Sequence, residues 1–144
     1  MKVKIINDSP YELPAYETHS AAGMDIRANI TEPVTLGPLE RRLIPTGLRM
    51  QLPQGYECQI RPRSGLALEH GLSIINTPGT VDADFRGDIG IILINLSNEP
   101  YTVTPGERIA QMVIKEYVHV EWEPVRRIDT TERGDGAFGH TGTA

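Results

Sequence analysis

The 144-residue sequence has one cysteine, Cys58, so no disulfide can form within the chain. Long apolar runs are missing too: the longest, Ile91 to Ile94, is far from the roughly 18 residues a membrane-spanning helix needs. Positive charge is scarce, with 14 Lys and Arg against 19 Asp and Glu and a net charge of −5. That balance excludes a broad electrostatic surface for nucleic acid, where affinity comes from many cations meeting phosphates. Any anionic ligand must be gripped locally. The N-terminal MKVKIINDSP carries neither the apolar core of a signal peptide nor the basic amphipathic pattern of a transit peptide, so a soluble, cytoplasmic protein with no membrane or nucleic-acid partner is expected. The four histidines, His19, His70, His119 and His140, have no metal-ligand spacing, and a protein-caged transition metal is not expected.

Helix signals are almost absent. Only Ser64 to His70, "SGLALEH", reads as helical, with Ser64 where an N-cap belongs and Gly71 as the stop. Apolar and polar residues instead alternate in Leu48 to Leu52, Tyr56 to Arg61 and His119 to Trp122, the period of strands with one face on a core. Ile89 to Ile94 and Ile109 to Ile114 are more continuously apolar and fit strands covered on both faces, inside a sandwich or against another subunit. Glycine and proline, 14 and 11 residues, punctuate these runs, so connections are short turns. The length fits one domain, and the pattern predicts an all-β, jelly-roll-like sandwich or barrel with one short helix. After about Arg127 the alternation stops, and residues 128–144 read as a glycine-rich arm without a core of its own, appended to a β domain over residues 1–127.

Several short stretches carry groups suited to chemistry. "PRSGLA", Pro62 to Ala67, sets Arg63, Ser64 and Gly65 at the start of the short helix, an arrangement fit either for capping or for holding an anion on free backbone N–H groups. "AAGMDIRA" places Asp25 just inside a strand, and "GERIAQMVI" places Gln111 in an apolar strand, where its amide needs partners. "GTVDADFRGDIG" carries Asp82, Asp84 and Asp88 with Phe85 and Arg86. Its apolar flanks read as paired strands, with Asp82 and Asp84 on one strand face. Asp84 and Asp88 read equally well as turn formers, whereas Asp82, following Thr80 and Val81, is the candidate general base for an attacking water. "RGDGAFGHTG", Arg133 to Gly142, has glycine spacing like a phosphate loop, but the strand and long helix of a P-loop are not there, and a disordered terminus is the plain alternative. Phe138, a lone aromatic among glycines, suits closure over a flat ligand.

Taken in order, "AGMDIRA", "PRSGLA", "GTVDADFRGDIG", "GERIAQMVI" and "RGDGAFGHTG" resemble the five motifs of the homotrimeric dUTPase family, over Ala22 to Gly142. The resemblance implies hydrolysis of dUTP to dUMP and pyrophosphate with Mg²⁺, which keeps uracil out of DNA and supplies dUMP for dTMP synthesis. It implies that Asp82 activates water against the α-phosphorus, and that Asp25 and Gln111 reach the metal through bound water. Arg63, Ser64 and Gly65 would hold the phosphates. A hairpin from Asn76 to Phe85 would read uracil through Asn76, Gly79, Thr80 and Val81, with Phe85 against the deoxyribose. Arg133, Phe138, Gly139 and Thr141 of the arm would close over the nucleotide, at a site of a neighbouring subunit in a trimer with shared sites. Phe85 stands where the family usually has tyrosine, Ala137 replaces a frequent glycine and His140 a frequent serine. A dCTP deaminase-like enzyme and a non-catalytic trimeric nucleotide-binding module are the alternatives.

Overall fold

The computed structural model describes residues 1–138. Eleven strands and one helix follow in order among them: β1 (Lys4–Asn7), β2 (Met24–Arg27), β3 (Val34–Leu36), β4 (Arg41–Pro45), β5 (Leu48–Gln51), β6 (Tyr56–Arg61), α1 (Ser64–His70), β7 (Leu72–Ile74), β8 (Gly79–Val81), β9 (Gly90–Asn95), β10 (Tyr101–Val103) and β11 (Arg108–Glu116). They form a four-stranded sheet β2-β11-β6-β8, a three-stranded sheet β4-β9-β7, and the pairs β1-β5 and β10-β3. Every pairing is antiparallel. The chain is thus an all-β, jelly-roll-like sandwich with one short helix, as the alternation predicts.

Its core is aliphatic. Ile26, Leu36, Ile44, Ile91, Leu93 and Ile109 are sealed from solvent, each contributing about 1.5–3 kcal/mol by burial. In β6 the period of two turns Cys58 and Ile60 inward, while Glu57, Gln59 and Arg61 form an outward hydrogen-bonded ladder. Burial, with a smaller contribution from Glu57, pushes the Cys58 thiol up to about 12, so it stays neutral and unreactive. The fully buried amide of Asn95 donates to the carbonyls of Leu36 and Glu99 and accepts from the N–H and hydroxyl of Ser97, pinning the turn after β9.

The helix starts differently from the sequence reading. Arg63 is its N-cap, in extended conformation and without a side-chain capping bond, and Ser64 is the first helical residue. Gly71 does end it, with φ of 65° and its N–H given to the carbonyls of Ala67 and Leu66. A β-carbon there would also lie 3.0 Å from Ser97, so both backbone and space require glycine.

Two further expectations are corrected. Residues 76–85 form no hairpin of mutually paired strands: β7 pairs with β9, while β8 leaves for the other sheet and pairs with β6. Asp82 and Asp84 accordingly lie in a turn after β8 rather than on one strand face. His119 to Trp122 is not a strand, because no strand among the described residues pairs with it; Val118, Val120 and Trp122 remain exposed. The last strand among the described residues ends at Glu116. Among the described residues, no helix is long and apolar enough to cross a membrane.

Candidate functional site

One cluster forms where β2, β11 and the end of β6 meet. Gln111 stands opposite both Asp25 of β2 and Arg61 of β6. Asp25 Oδ1 accepts from Arg63 Nε at 3.0 Å, and its Oδ2 accepts from Arg108 Nη1 at 3.2 Å. Arg63 Nη1 also donates to the Arg108 carbonyl at 3.0 Å, and Arg108 Nη1 to Glu17 Oε1 at 2.8 Å. Gln111 Nε2 donates to the Pro62 carbonyl at 2.9 Å, while its Oε1 lies against Gly23, where a β-carbon would come within 2.3 Å. Ser64 and Gly65 follow Arg63, exposed at the first turn of α1. Asp25, Arg63, Ser64, Gly65 and Gln111 are therefore brought together. A cleft of about 90 Å³ opens beside them, lined by Glu17, Asp25, Arg27 and Arg108.

Arg108 and Glu17 were not singled out from the sequence. The signal for Arg108 is the adjacent pair Ile109 and Ala110, both buried between polar Arg108 and Gln111, which breaks the period of two and marks a β-bulge. Glu17 sits in the loop between β1 and β2, where no periodicity points to it.

A second cluster gathers around β8. Asn76 packs its amide against Gly79, whose β-carbon would meet it at 3.3 Å. The Phe85 ring covers Gly87, where a β-carbon would come within 2.6 Å, and Arg86 Nη1 closes the turn on the carbonyls of Ala83 and Phe85. Thr80, Val81, Asp82, Phe85 and Asp88 line a cleft of about 170 Å³. Asp82 is exposed, with its carbonyl held by the Phe85 N–H.

The second cluster runs along β6 from Gly79, opposite Ile60, to Val81, opposite Cys58, so its Asp82 end is the one far from Arg63. Val81 pairs with Cys58, so Asp82 comes beside Glu57, and both line one hollow. From Glu57 to Arg63 the chain runs extended for six residues, roughly 20 Å at about 3.3 Å each. The described part of the arm, up to Phe138, joins neither cluster: Arg133 Nε donates to the Gly136 carbonyl, and Phe138 is fully exposed. Gly139, Thr141 and His140 lie outside the described residues. No group of three or more His, Cys, Asp or Glu side chains suited to a metal occurs among the described residues.

A small β-sandwich with an arginine-lined polar cradle at one edge and a narrow cleft backed by glycine and an aromatic at another belongs to the class of all-β ligand-binding domains. The family is more definite: the dUTPase family model matches residues 9–142, and the chain belongs to that family. It is 55% identical over 142 residues to the deoxyuridine 5'-triphosphate nucleotidohydrolase of Fusobacterium nucleatum, covering 99% of this chain and 97% of that protein. Identity to the enzyme of the same name from Finegoldia magna is 54%, over 99% of both chains. A solved Staphylococcus bacteriophage 80alpha dUTPase with dUpNHpp superimposes with a TM-score of 0.89 at 26% identity, covering 99% of each chain.

Proposed function

We propose that the chain hydrolyses dUTP to dUMP and pyrophosphate, by water attack on the α-phosphorus assisted by Asp82. One observation carries the reading: a cradle of Arg63, Ser64 and Gly65 in a chain matching, end to end, relatives named for this hydrolysis. Five N–H donors belong to a guanidinium, and Arg63 uses two within the cluster, which leaves three for phosphate oxygens. The Ser64 hydroxyl and the unobstructed Gly65 backbone add donors. Such donors, fixed before the reaction, offset charge as the anhydride bond breaks.

In the second cluster Asn76 and the backbone of Gly79, Thr80 and Val81 read the uracil edge. Cytosine presents the reverse donor and acceptor order and leaves buried groups unpaired, a penalty of up to about 10⁴-fold or more. The Phe85 ring, resting on Gly87, faces the deoxyribose and excludes a 2′-hydroxyl. Mg²⁺ suits the donors present: one carboxylate and one amide oxygen are too few to cage an ion but adequate to hold its waters, with the triphosphate as main ligand. Asp25 and Gln111 Oε1 would be those donors, and a bound ion would supply Lewis-acid neutralisation of phosphate charge.

The separation of Asp82 from Arg63, roughly 20 Å along β6, supports a site to which two chains contribute. The site is shared between chains of a homotrimer. Residues 128–144 act as an arm on a domain of residues 1–127, closing over a neighbour's nucleotide through Arg133, Phe138, Gly139 and Thr141. We place the protein in the cytoplasm, where the lone thiol of Cys58 stays reduced.

Incubation with dUTP, dCTP, dTTP and UTP, read for pyrophosphate and ammonia, tests the reading. Pyrophosphate from dUTP alone is expected. Ammonia from dCTP would make the chain a deaminase, and tight dUTP binding without turnover would make it a binding module.

A further inference from the structure

Arg108 owes its position to an irregularity in β11. Gln111 pairs with Asp25 and Ala110 with Ile26, but Arg108 pairs with Arg27, so the register slips by one residue at Ile109. In a regular ladder Arg108 would share a face with Ala110 and Met112, both buried in the core. A slip of one residue moves a side chain to the opposite face. The bulge therefore lifts Arg108 out of the core and sets it on the face that carries Asp25, Arg27 and Gln111.

There it makes two kinds of contact with the cradle. Its guanidinium holds Asp25 Oδ2, the oxygen Arg63 does not use, and its carbonyl accepts from Arg63 Nη1. Arg63 is thus fixed at two points of its planar fork, by Asp25 at Nε and by the Arg108 carbonyl at Nη1. With those edges occupied, the guanidinium cannot rotate, and both N–H groups of Nη2 are held in one direction. Without Arg108's side chain, Asp25 keeps a single partner, and its carboxylate can swing, taking Arg63 with it. Glu17 steadies Arg108 from the exposed side, where an ion pair contributes little.

We propose that Arg108 is a positioning residue for the hydrolysis: acting through Asp25, it fixes Arg63 so that the free donors of that guanidinium face the phosphate chain. The proposal rests on Arg63 being a phosphate ligand in the function proposed above.

The test is a double-mutant cycle of Arg108→Met and Asp25→Asn, with Arg108→Lys as the conservative variant. Two readouts are used, kcat/KM for dUTP and equilibrium affinity for dUpNHpp and for deoxyuridine. Loss of a hydrogen bond to a charged group predicts a fall of about 10- to 100-fold in kcat/KM and in dUpNHpp affinity for Arg108→Met. Deoxyuridine affinity should not change, since it lacks phosphates. In the Asp25→Asn background the same substitution should cost less than about threefold, and Arg108→Lys should recover part of the loss. Fully additive losses would overturn the proposal, because Arg108 would then act independently of Asp25. So would a lowered melting temperature with both readouts unchanged, the mark of a merely structural residue. Failure of the wild type to turn over dUTP would remove the hydrolysis, while the dUpNHpp cycle would still decide the role of Arg108.

Discussion

Gly23→Ala is a single-methyl perturbation whose consequence depends on one neighbour. The added carbon would sit 2.3 Å from Gln111 Oε1, 3.4 Å from its Cδ and 3.7 Å from the Met112 carbonyl, so only the amide oxygen collides. Relief requires the Gln111 amide to retreat by about 1 Å, which breaks its 2.9 Å bond to the Pro62 carbonyl. That bond contributes about 1 kcal/mol net, and residual crowding adds up to about 1 more. At about 4 °C per kcal/mol for a chain of this size, the melting temperature should fall by roughly 4–8 °C. The φ of Gly23 is one that alanine tolerates. In a Gln111→Ala background, where the colliding atom is gone, the same substitution should therefore be neutral or stabilising by about 0.5 kcal/mol, through loss of unfolded-state freedom. Paired calorimetric scans of the four proteins check this. Equal destabilisation in both backgrounds would refute the assignment of Gln111 as the group held against Gly23.

Asp82→Asn should lower kcat by about 10²- to 10⁴-fold while leaving dUpNHpp affinity within roughly threefold, because an amide keeps the shape but cannot take a proton; unchanged turnover would remove Asp82 as the base. A chain ended after Glu132 should fold with the same melting temperature, since the strands end at Glu116, yet lose most turnover of dUTP; full activity would dismiss the arm as a closing element. Alkaline stability should report on Cys58, whose thiol has its pKa pushed from 9.0 to about 12 by burial and then by Glu57. A raised pKa means the folded state favours the neutral thiol, so this stabilisation is intact below pH 9 and is lost as pH rises towards 12. The loss is up to about 4 kcal/mol at 1.36 kcal/mol per pH unit, and Cys58→Ala should flatten that part of the denaturant-midpoint curve against pH.

What could be read from the sequence depended on whether the deciding interaction was local. β5 and β6 were legible because Leu48 to Leu52 and Tyr56 to Arg61 alternate, and alternation is a property of the strand itself. Gly71 was legible because left-handed backbone at a helix end selects glycine. Partnership was not local: nothing in Gly79 to Val81 says that they pair with β6 across 20 residues rather than with the preceding strand β7. His119 to Trp122 fails for the same reason, since an alternating segment becomes a strand only beside another edge. Ser64 is a capping residue by type, but the chain enters α1 one residue earlier, where the Arg63 side chain is drawn to Asp25 instead. The cradle residues Asp25, Arg63, Ser64, Gly65 and Gln111 came from motif order. Arg108 was hidden because its face is set by a bulge that shows only as two apolar residues in a row.

The distance between the two clusters has a chemical logic of its own. Asp25 shows what becomes of a carboxylate that shares a chain with the cradle: both its oxygens are bound by arginines. A carboxylate committed to two guanidinium groups in this way is not free to hold an attacking water. Were Asp82 equally close to Arg63 in one chain, it would be paired in the same way, and Arg63 would lose the donors proposed above for phosphate. At roughly 20 Å, about two Debye lengths in physiological salt, the two groups do not sense one another. In the shared site proposed above, base and cradle would come from different subunits, so neither is paired with the other within one chain.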